Sequence, residues 1–318
     1  MLQLTIQGSK LFEPVVLGGV QWETALKGEP GKLTFTVVKD NVIAFNEGSR
    51  VTWTVDGKLL FVGYVFTKTR NKDHHIQVTA YDQLRYFKNK DVYIYKNKTA
   101  SELVAMLAND YGLSVGTLEN TGYKIAQRVE DGQTLFDIVE NALKITQDST
   151  NKVFCLYDNA GKITLQNIKN MQLRTVIDNE TAEDFDYTSS IDGETYNYIK
   201  LVKESSKKGK REVIAVVKDD NNIAQWGRLQ YFEKISEEIN LQARANSLLK
   251  QYNRKTRTLR IKGALGDTSV RAGCMLPVLL NLGDIVNNSY LVCKRVVHTW
   301  EQGHHSMDID FMGGDRFE

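Results

Sequence analysis

The sequence predicts a mainly β protein with an α+β insert, in which two antiparallel β-barrel domains flank a small helical and hairpin domain. Three observations carry this reading. Apolar and polar residues alternate with a period of two, rich in β-branched and aromatic types, from Met1 to about Tyr81 and again from Tyr198 onward. Between those stretches the period changes twice to that of a helix. And 318 residues, at roughly 100 to 200 per domain, is the length of two or three domains.

Taken in order, the first strands are read at Met1 to Gln7, Gln21 to Thr24, Lys32 to Val38, Arg50 to Val55, Leu59 to Phe66 and Ile76 to Tyr81. Glycine followed by lysine marks candidate hairpin turns at Pro30-Gly31-Lys32, Asp56-Gly57-Lys58, Ala160-Gly161-Lys162 and Lys208-Gly209-Lys210, since glycine supplies the positive φ of a tight hairpin. At Thr99-Ala100-Ser101-Glu102 a capping box precedes Ala100, Leu103, Val104, Leu107 and Tyr111, one helical stripe that Gly112 closes. A second helix follows Asp131-Gly132-Gln133-Thr134, with Leu135, Ile138, Val139 and Ala142 on one face and Asp137 near its positive end. A hairpin then runs through Val153 to Tyr157 and Ile163 to Gln166.

Strand patterns resume at Tyr198 to Lys203, Glu212 to Val217, Thr258 to Lys262, Tyr290 to Val297 and Ser306 to Met312. One helix, over about 237–253, interrupts them, with Ser236 as cap, Glu237 and Glu238 at the positive end, and Leu241, Ala245, Leu248, Leu249 and Tyr252 as its buried stripe. The expected domains are therefore 1–90, a first barrel; 91–175, the insert; and 176–318, a second barrel. Only Pro14, Pro30 and Pro277 are prolines, about 1% against a usual figure of about 5%, so Pro-rich linkers are absent.

Composition excludes several function classes. Hydrophobic residues are 42% and charged residues 25%, and no apolar run is long enough to span a bilayer as a helix, so no membrane insertion is expected. The alternating N-terminus lacks the pattern of a signal peptide. With 41 Lys and Arg against 39 Asp and Glu, the formal charge of +2 gives no global field for nucleic acid. Charge is nevertheless segregated. Asp178, Glu180, Glu183, Asp184, Asp186, Asp192 and Glu194 lie in a stretch without Lys or Arg, whereas Lys200 to Lys262 holds sixteen basic and seven acidic residues, a balance of +9. Solvated faces are the plain reading; complementary docking patches are the other, with Asp178, Glu180, Glu183, Asp184 and Asp186 on one side and Lys207, Lys208, Lys210 and Arg211 on the other.

Catalytic, cofactor and metal sites are not expected. The pairs His74-His75 and His304-His305 lie at or beside strands, where neighbours point to opposite faces and cannot chelate one ion. Asp308 and Asp310 share a strand face opposite Met307, Ile309 and Phe311, the pattern of a half-buried strand. No GxSxG, HExxH, GxGxxG before a helix or GxxxxGK[ST] occurs. Cys155, Cys274 and Cys293 form no CxxC and are read as small packed hydrophobes in a reducing compartment. The basic turn Ser205 to Arg211 lacks interleaved aromatics to stack bases. Asp131 to Ile138 resembles the opening of a peptidoglycan-binding LysM module, but a hairpin begins at Val153 where that module needs a second helix and closing strand.

Several stretches together resemble the baseplate hub proteins of contractile phage tails, as in PBSX-type prophages and R-type bacteriocins. They are Trp22-Glu23-Thr24 with Gly31 to Thr36, Tyr81 to Tyr86, Asn97 to Ala100, Asp131 to Ile138, Ser190 to Asn197, Trp226 to Phe232, and Val270-Arg271-Ala272-Gly273. The resemblance implies two related barrels around an α+β insert and a homotrimeric ring that adapts a six-fold tail tube to a three-fold spike. It further implies the tube, the spike, other baseplate proteins and the tape measure as partners, synthesis in the bacterial cytoplasm, and no catalytic residue or cofactor. The competing expectation is a cell-wall-directed module, either a LysM-like binder or a peptidoglycan hydrolase.

Overall fold

Alternation with turns at short spacing builds the N-terminal strands: β1 (Leu2–Gln7), β2 (Leu11–Phe12), β3 (Val16–Ala25), β4 (Lys32–Val38), β5 (Arg50–Val55), β6 (Lys58–Arg70) and β7 (His75–Tyr81). They pair antiparallel in the order β3-β4-β7-β6-β5-β1-β2. In the computed structural model, which describes every residue except 41, 205–210, 236–240, 284 and 313–318, and only the backbone of 203–204 and 211–214, every second side chain of β4, β5 and β7 is buried. Leu33, Phe35, Val37, Val51, Trp53, Val78 and Ala80 form the centre of the core. Asp56 and Gly57 both take positive φ between β5 and β6, as a two-residue hairpin requires. Gly31 does not, which corrects one expected hairpin: there the absent side chain makes room for Asp82, whose Oδ2 would lie 2.4 Å from a Cβ.

After a short 3-10 helix at Gln83–Lys88 come β8 (Lys90–Lys98), α1 (Ala100–Asp110), β9 (Val115–Leu118), β10 (Ile125–Thr134), α2 (Leu135–Thr150), β11 (Phe154–Asp158) and β12 (Ile163–Asn167). Both helices start where capping boxes place them, Thr99 with Glu102 and Thr134 with Asp137. Their stripes meet Leu84, Phe87, Tyr95 and Ile163 in a second core. The hairpin turns at Ala160 and Gly161, both with positive φ. β8, β9 and β10 escape the sequence reading. β8 puts Tyr95 inward but also carries Val92 and Ile94 exposed, so apolar residues on both faces erase its alternation.

The remaining elements are β13 (Asp184–Ser190), β14 (Tyr198–Glu204), β15 (Arg211–Lys218), α3 (Asp220–Trp226), β16 (Gln230–Ile235), α4 (Leu241–Tyr252), β17 (Thr256–Leu265), β18 (Met275–Asn281), β19 (Val286–Glu301) and β20 (His304–Phe311). The chain forms two compact units, Met1–Asp186 with Arg260–Glu318, and Tyr187–Leu259. In the second unit β14 pairs antiparallel with β15 and parallel with β16. Its core is Ile199, Leu201, Ala215, Ile235 and Ala245, with Leu241, Leu248 and Leu249 of α4 packed against it. Buried Asn197 receives the Leu229 N–H (2.9 Å) and donates to the Gly227 carbonyl (2.8 Å), which ties the Tyr196-Asn197 and Trp226–Leu229 stretches together. The expected cap at Ser236 with Glu237 and Glu238 lies outside the described residues.

The fold is mainly β, but two separate barrels are not what the strands make. β19 pairs with β3 from Arg295↔Ala25 to Trp300↔Val20, so the two strand-rich halves share one sheet of twelve strands, ordered β13-β17-β20-β19-β3-β4-β7-β6-β5-β1-β2 with β18 on β19. Among the described residues this pairing closes no barrel. Strands Tyr198–Glu204 and Arg211–Lys218, expected in the second barrel, belong to the separate mixed sheet of the second unit. The reason is range: a register between residues about 275 positions apart leaves no local mark in sequence.

Candidate functional site

Four of the stretches that carry the family resemblance converge on one buried polar cluster. Asp82 accepts the N–H of Gly31 (2.8 Å) and, as cap of the 3-10 turn, the N–H of Leu84 (3.0 Å). Gln83 donates to Asp158 Oδ2 (2.8 Å), and Gly161 N–H donates to Asp158 Oδ1 (2.6 Å). Arg271 donates to the Asp158 carbonyl (3.1 Å) and stacks its guanidinium 3.8 Å from the Tyr157 ring centroid. The Ala272 N–H donates to Thr24 Oγ1 (3.0 Å), and Gly273, at φ +92, leaves room for Cys155, whose Sγ would lie 2.6 Å from a Cβ. Burial first, and then the neighbouring Asp158, push the Asp82 carboxyl well above its usual range, against the pull of its N–H donors and Arg271. Burial likewise raises Asp158. This cluster locks the α+β layer to β3, β4 and the 271–273 turn; it is an architectural centre with a single cation for two buried carboxylates.

Beside it stands a column of rings. His298, fully buried, stacks on Trp22 (5.0 Å) and on Trp300 (5.5 Å), and His305 stacks on Trp300 (4.4 Å). His298 Nε2 meets the Val270 carbonyl at 2.9 Å and its Nδ1 meets His305 Nε2 at 2.9 Å. Because the Val270 carbonyl can only accept, His298 donates to it from Nε2 and its bare Nδ1 accepts the N–H of His305 Nε2. The sequence reading rejected His304 and His305 as a chelating pair; the ring that His305 meets is His298, across β19 and β20. Burial drives the His298 pKa down from 6.5 to about 3, opposed by the Val270 carbonyl and the Asp267 charge and aided by His305 and Arg271; burial also lowers His305. A histidine depressed in the fold stabilises it fully above its unfolded pKa, and that stability drains as pH falls from 6.5 toward the folded value. The melting temperature should therefore fall between about pH 7 and pH 4, and His298→Gln should flatten that slope; thermal melts across the range check it. An equal slope in the variant would assign acid sensitivity elsewhere.

The outer face of the large sheet carries the charges. Lys262 on β17 bridges Asp184 (3.4 Å) and Asp186 (2.8 Å) on β13. Arg260 on β17 reaches Asp308 (3.5 Å) and Asp310 (3.6 Å) on β20, and Arg295 on β19 reaches Asp310 (3.9 Å) and Glu23 of β3 (2.5 Å). Lys32 on β4 closes the row against Glu23. Acid and base thus alternate over six adjacent strands. Burial pushes the Glu23 carboxyl up, but hydrogen bonds from Arg295 and Lys32 outweigh it and hold the group below its usual range. Asp308 and Asp310 do share a face, as the sequence indicates, and their work there is to hold Arg260 and Arg295.

Of the expected docking residues, Asp178 is turned into its own loop, accepting from Glu180 N–H (3.0 Å), Thr181 N–H (2.9 Å) and Thr181 Oγ1 (2.9 Å). Glu180 is exposed, Glu183 lies over Gly263, and Asp184 and Asp186 remain 65% and 59% exposed although paired. Lys207, Lys208 and Lys210 lie outside the described residues, and of Arg211 only the backbone in β15 is described. All three cysteines are buried and free, with the Cys155 thiol pushed up to about 12 by burial. Among the described residues no group of three His, Cys, Asp or Glu side chains is placed to hold a metal. Asp131–Ile138 forms the end of β10 and the start of α2, and the chain continues into the β11–β12 hairpin.

A family profile described as YQBQ-like matches residues 20–312. The chain belongs to this family. It is 31% identical over 272 residues to the uncharacterized protein YqbQ of Bacillus subtilis (strain 168), covering 83% of this chain and 81% of that one. It is 30% identical over 272 residues, with the same coverage, to the phage-like element PBSX protein XkdQ of the same organism. Among solved structures, the fold resembles the 43 kDa tail protein of prophage MuSo2 from Shewanella oneidensis, with a TM-score of 0.73 at 13% identity over 99% of this chain and 100% of that one. The tail protein from Neisseria meningitidis MC58 follows, at 0.70 and 12% over 99% and 98%. The E. coli c3393 protein, described as a type VI secretion component structurally similar to T4 tail proteins gp27 and gp5, reaches 0.58 at 12% over 99% and 78%. The YQBQ-like match takes in the polar cluster from Trp22 to Gly273, so the buried contacts above lie within the region the family shares.

Proposed function

We propose that the chain is a structural baseplate hub of a contractile tail, carried by a phage, a defective prophage or a bacteriocin. Three copies form a ring that adapts the six-fold tail tube to the three-fold spike, with other baseplate proteins and the tape measure as further neighbours. It is made in the bacterial cytoplasm, is built into the particle, and performs no catalysis. The observation that carries this reading is the kinship with a PBSX protein, together with a fold that resembles a prophage tail protein from end to end. The exposed edge formed by Glu180, Glu183, Asp184 and Asp186 supports an electrostatic docking role, with Lys207, Lys208, Lys210 and Arg211 as the opposing patch.

Electron microscopy of purified particles tests it. Three copies are expected between the end of the tube and the spike. Replacing Asp184 and Asp186 together by lysine should lower the yield of complete particles severalfold while shifting the melting temperature little, because exposed pairs contribute about 0–1 kcal/mol. Normal tails made without the protein, or release of muropeptides from peptidoglycan by the purified chain, would overturn the hub.

A further inference from the structure

Strand β6 outruns its neighbour β5: Arg50, the first residue of β5, pairs with Tyr64, and β6 runs on to Arg70. Residues 42–49 are tied to that overhang. The Gly48 N–H donates to the Val65 carbonyl (2.7 Å), and Lys68 Nζ donates to the Phe45 carbonyl (2.9 Å). Asp40 fixes the start of this segment, its Oδ1 accepting the N–H groups of Val42 (2.8 Å) and Ile43 (2.6 Å). From the other side comes the β1–β2 turn, with Gly8 so near the Ala44 carbonyl oxygen that a Cβ there would collide with it. Together these pieces bound a cleft of about 780 Å³.

Its charge is one-sided. Lys39, Arg50, Lys68 and Arg70 line it against the single carboxylate of Glu47. The two lysines are half-buried and anchored, Lys39 on the carbonyls of Asp40 and Ile43 (2.7 Å to Ile43), Lys68 on Phe45 and, at 3.5 Å, on Glu47. An ammonium has three N–H donors, so each anchored lysine keeps one for a ligand. Arg50 and Arg70 are exposed and make no ion pair among the described residues. The row from β13 to β4 is different, since each of its cations there meets a carboxylate. A concave wall with this excess of positive charge concentrates anions.

Geometry selects among anions. Arg50 stands level with Tyr64, and from Tyr64 to Arg70 the strand advances about 20 Å, so the positive charge is strung along the cleft instead of gathered at one point. The backbone offers no nest for a phosphate: the N–H groups of Gly8, Val42, Ile43, Asn46, Gly48 and Ser49 all donate within the chain. A nucleobase finds no ring to stack on, because the one aromatic lining residue, Phe45, is 8% exposed and lies under Lys68 Nζ, 5.3 Å from its centroid. We infer that the cleft receives an extended acidic segment of a partner protein. Its carboxylates pair with the guanidinium groups of Arg50 and Arg70, which can hold them in bidentate fashion, and with the remaining donors of Lys39 and Lys68. The cleft works this way whatever larger particle the chain joins, so its test is separate from that of the hub.

The probe is a capped peptide of alternating glutamate and serine, roughly eight residues long to span the cleft, carrying a fluorophore and titrated into the full chain with polarisation as readout. Saturable binding is expected, weakening about threefold or more as salt rises from about 50 to about 200 mM. The double variant Arg50→Glu, Arg70→Glu should bind about tenfold or more weakly at an unchanged melting temperature, since both side chains are exposed. Glu47→Gln removes the competing carboxylate and should tighten binding about threefold. Pyrophosphate and a short oligothymidylate should each compete about tenfold less well than unlabelled peptide. Absence of saturation at millimolar peptide overturns the inference, and so does equal binding by the arginine double variant. Tighter binding of pyrophosphate would make the cleft an oxyanion site, and tighter binding of the oligonucleotide a nucleic-acid surface. Self-association of the chain that the peptide competes away would assign the cleft to a second copy. Each of these three results also overturns the acidic partner segment.

Discussion

Replacing Arg271 by alanine is expected to cost about 1–3 kcal/mol at neutral pH and less in acid, because the buried Asp158 carbonyl loses its charged donor and the two buried carboxyls lose a favourable positive charge. Asp82 and Asp158 are 4% and 5% exposed, and the hydrogen bonds they accept from Gly31, Leu84, Gly161 and Gln83 lower but do not cancel the cost of burying charge. The sign follows from Asp82, whose carboxyl is raised in the fold above its ordinary 3.8. A carboxyl raised in this way favours the fold most below its unfolded pKa, and that advantage is lost as pH climbs through the folded value. Arg271 offsets the loss. Denaturant unfolding at a series of pH values should show the gap between variant and native chain widest at neutral pH and narrowing toward about pH 4. Arg271→Lys should recover only part, since an ammonium lacks the flat face that lies on Tyr157. A gap that does not narrow in acid would assign the cost to lost stacking instead of charge.

Leu107→Asp should unfold the α+β layer of the first unit. Leu107 is fully buried in α1 among Leu103, Val104, Leu135 and Ile138. A carboxylate placed there without a partner costs several kcal/mol, comparable to a whole stability margin of about 5–15 kcal/mol. Loss of helical circular dichroism and rapid proteolysis within residues 91–175 are the expected readouts. Leu107→Met, which keeps the volume, should cost less than about 1.5 kcal/mol. Similar melts for both variants would mean that α1 does not pack as described.

What could be read in advance depended on how far apart the interacting residues lie in the chain. The capping boxes at Thr99 and Thr134, the helical stripes and the β11–β12 hairpin are all written within a dozen residues, and they are where the sequence places them. The β3–β19 pairing, the His298–His305 bond and the Asp82–Asp158–Arg271 cluster join distant segments, and nothing local announces them. Gly31, Asp82, Arg271 and Gly273 do lie in stretches singled out by resemblance, but the contacts they make join those stretches only in the fold. The acidic stretch was read as a solvated face or a docking patch; within it Asp184 and Asp186 pair with Lys262 inside the same sheet and remain exposed.

The alternating row from Asp184 and Asp186 on β13 to Lys32 on β4 behaves, from outside, like a printed code with one mark per strand. Adjacent strands are about 4.8 Å apart, well inside a screening length of about 8 Å in physiological salt, so neighbouring marks cancel for any body more than a few ångströms away. Such a face neither attracts nor repels at a distance. At contact it is intolerant: a partner bearing the complementary row and slipped by a single strand meets like charge at every position, while a slip of two strands restores every match. Misalignment on this face is therefore quantised, and a correctly seated neighbour is separated from its nearest tolerable error by about 10 Å.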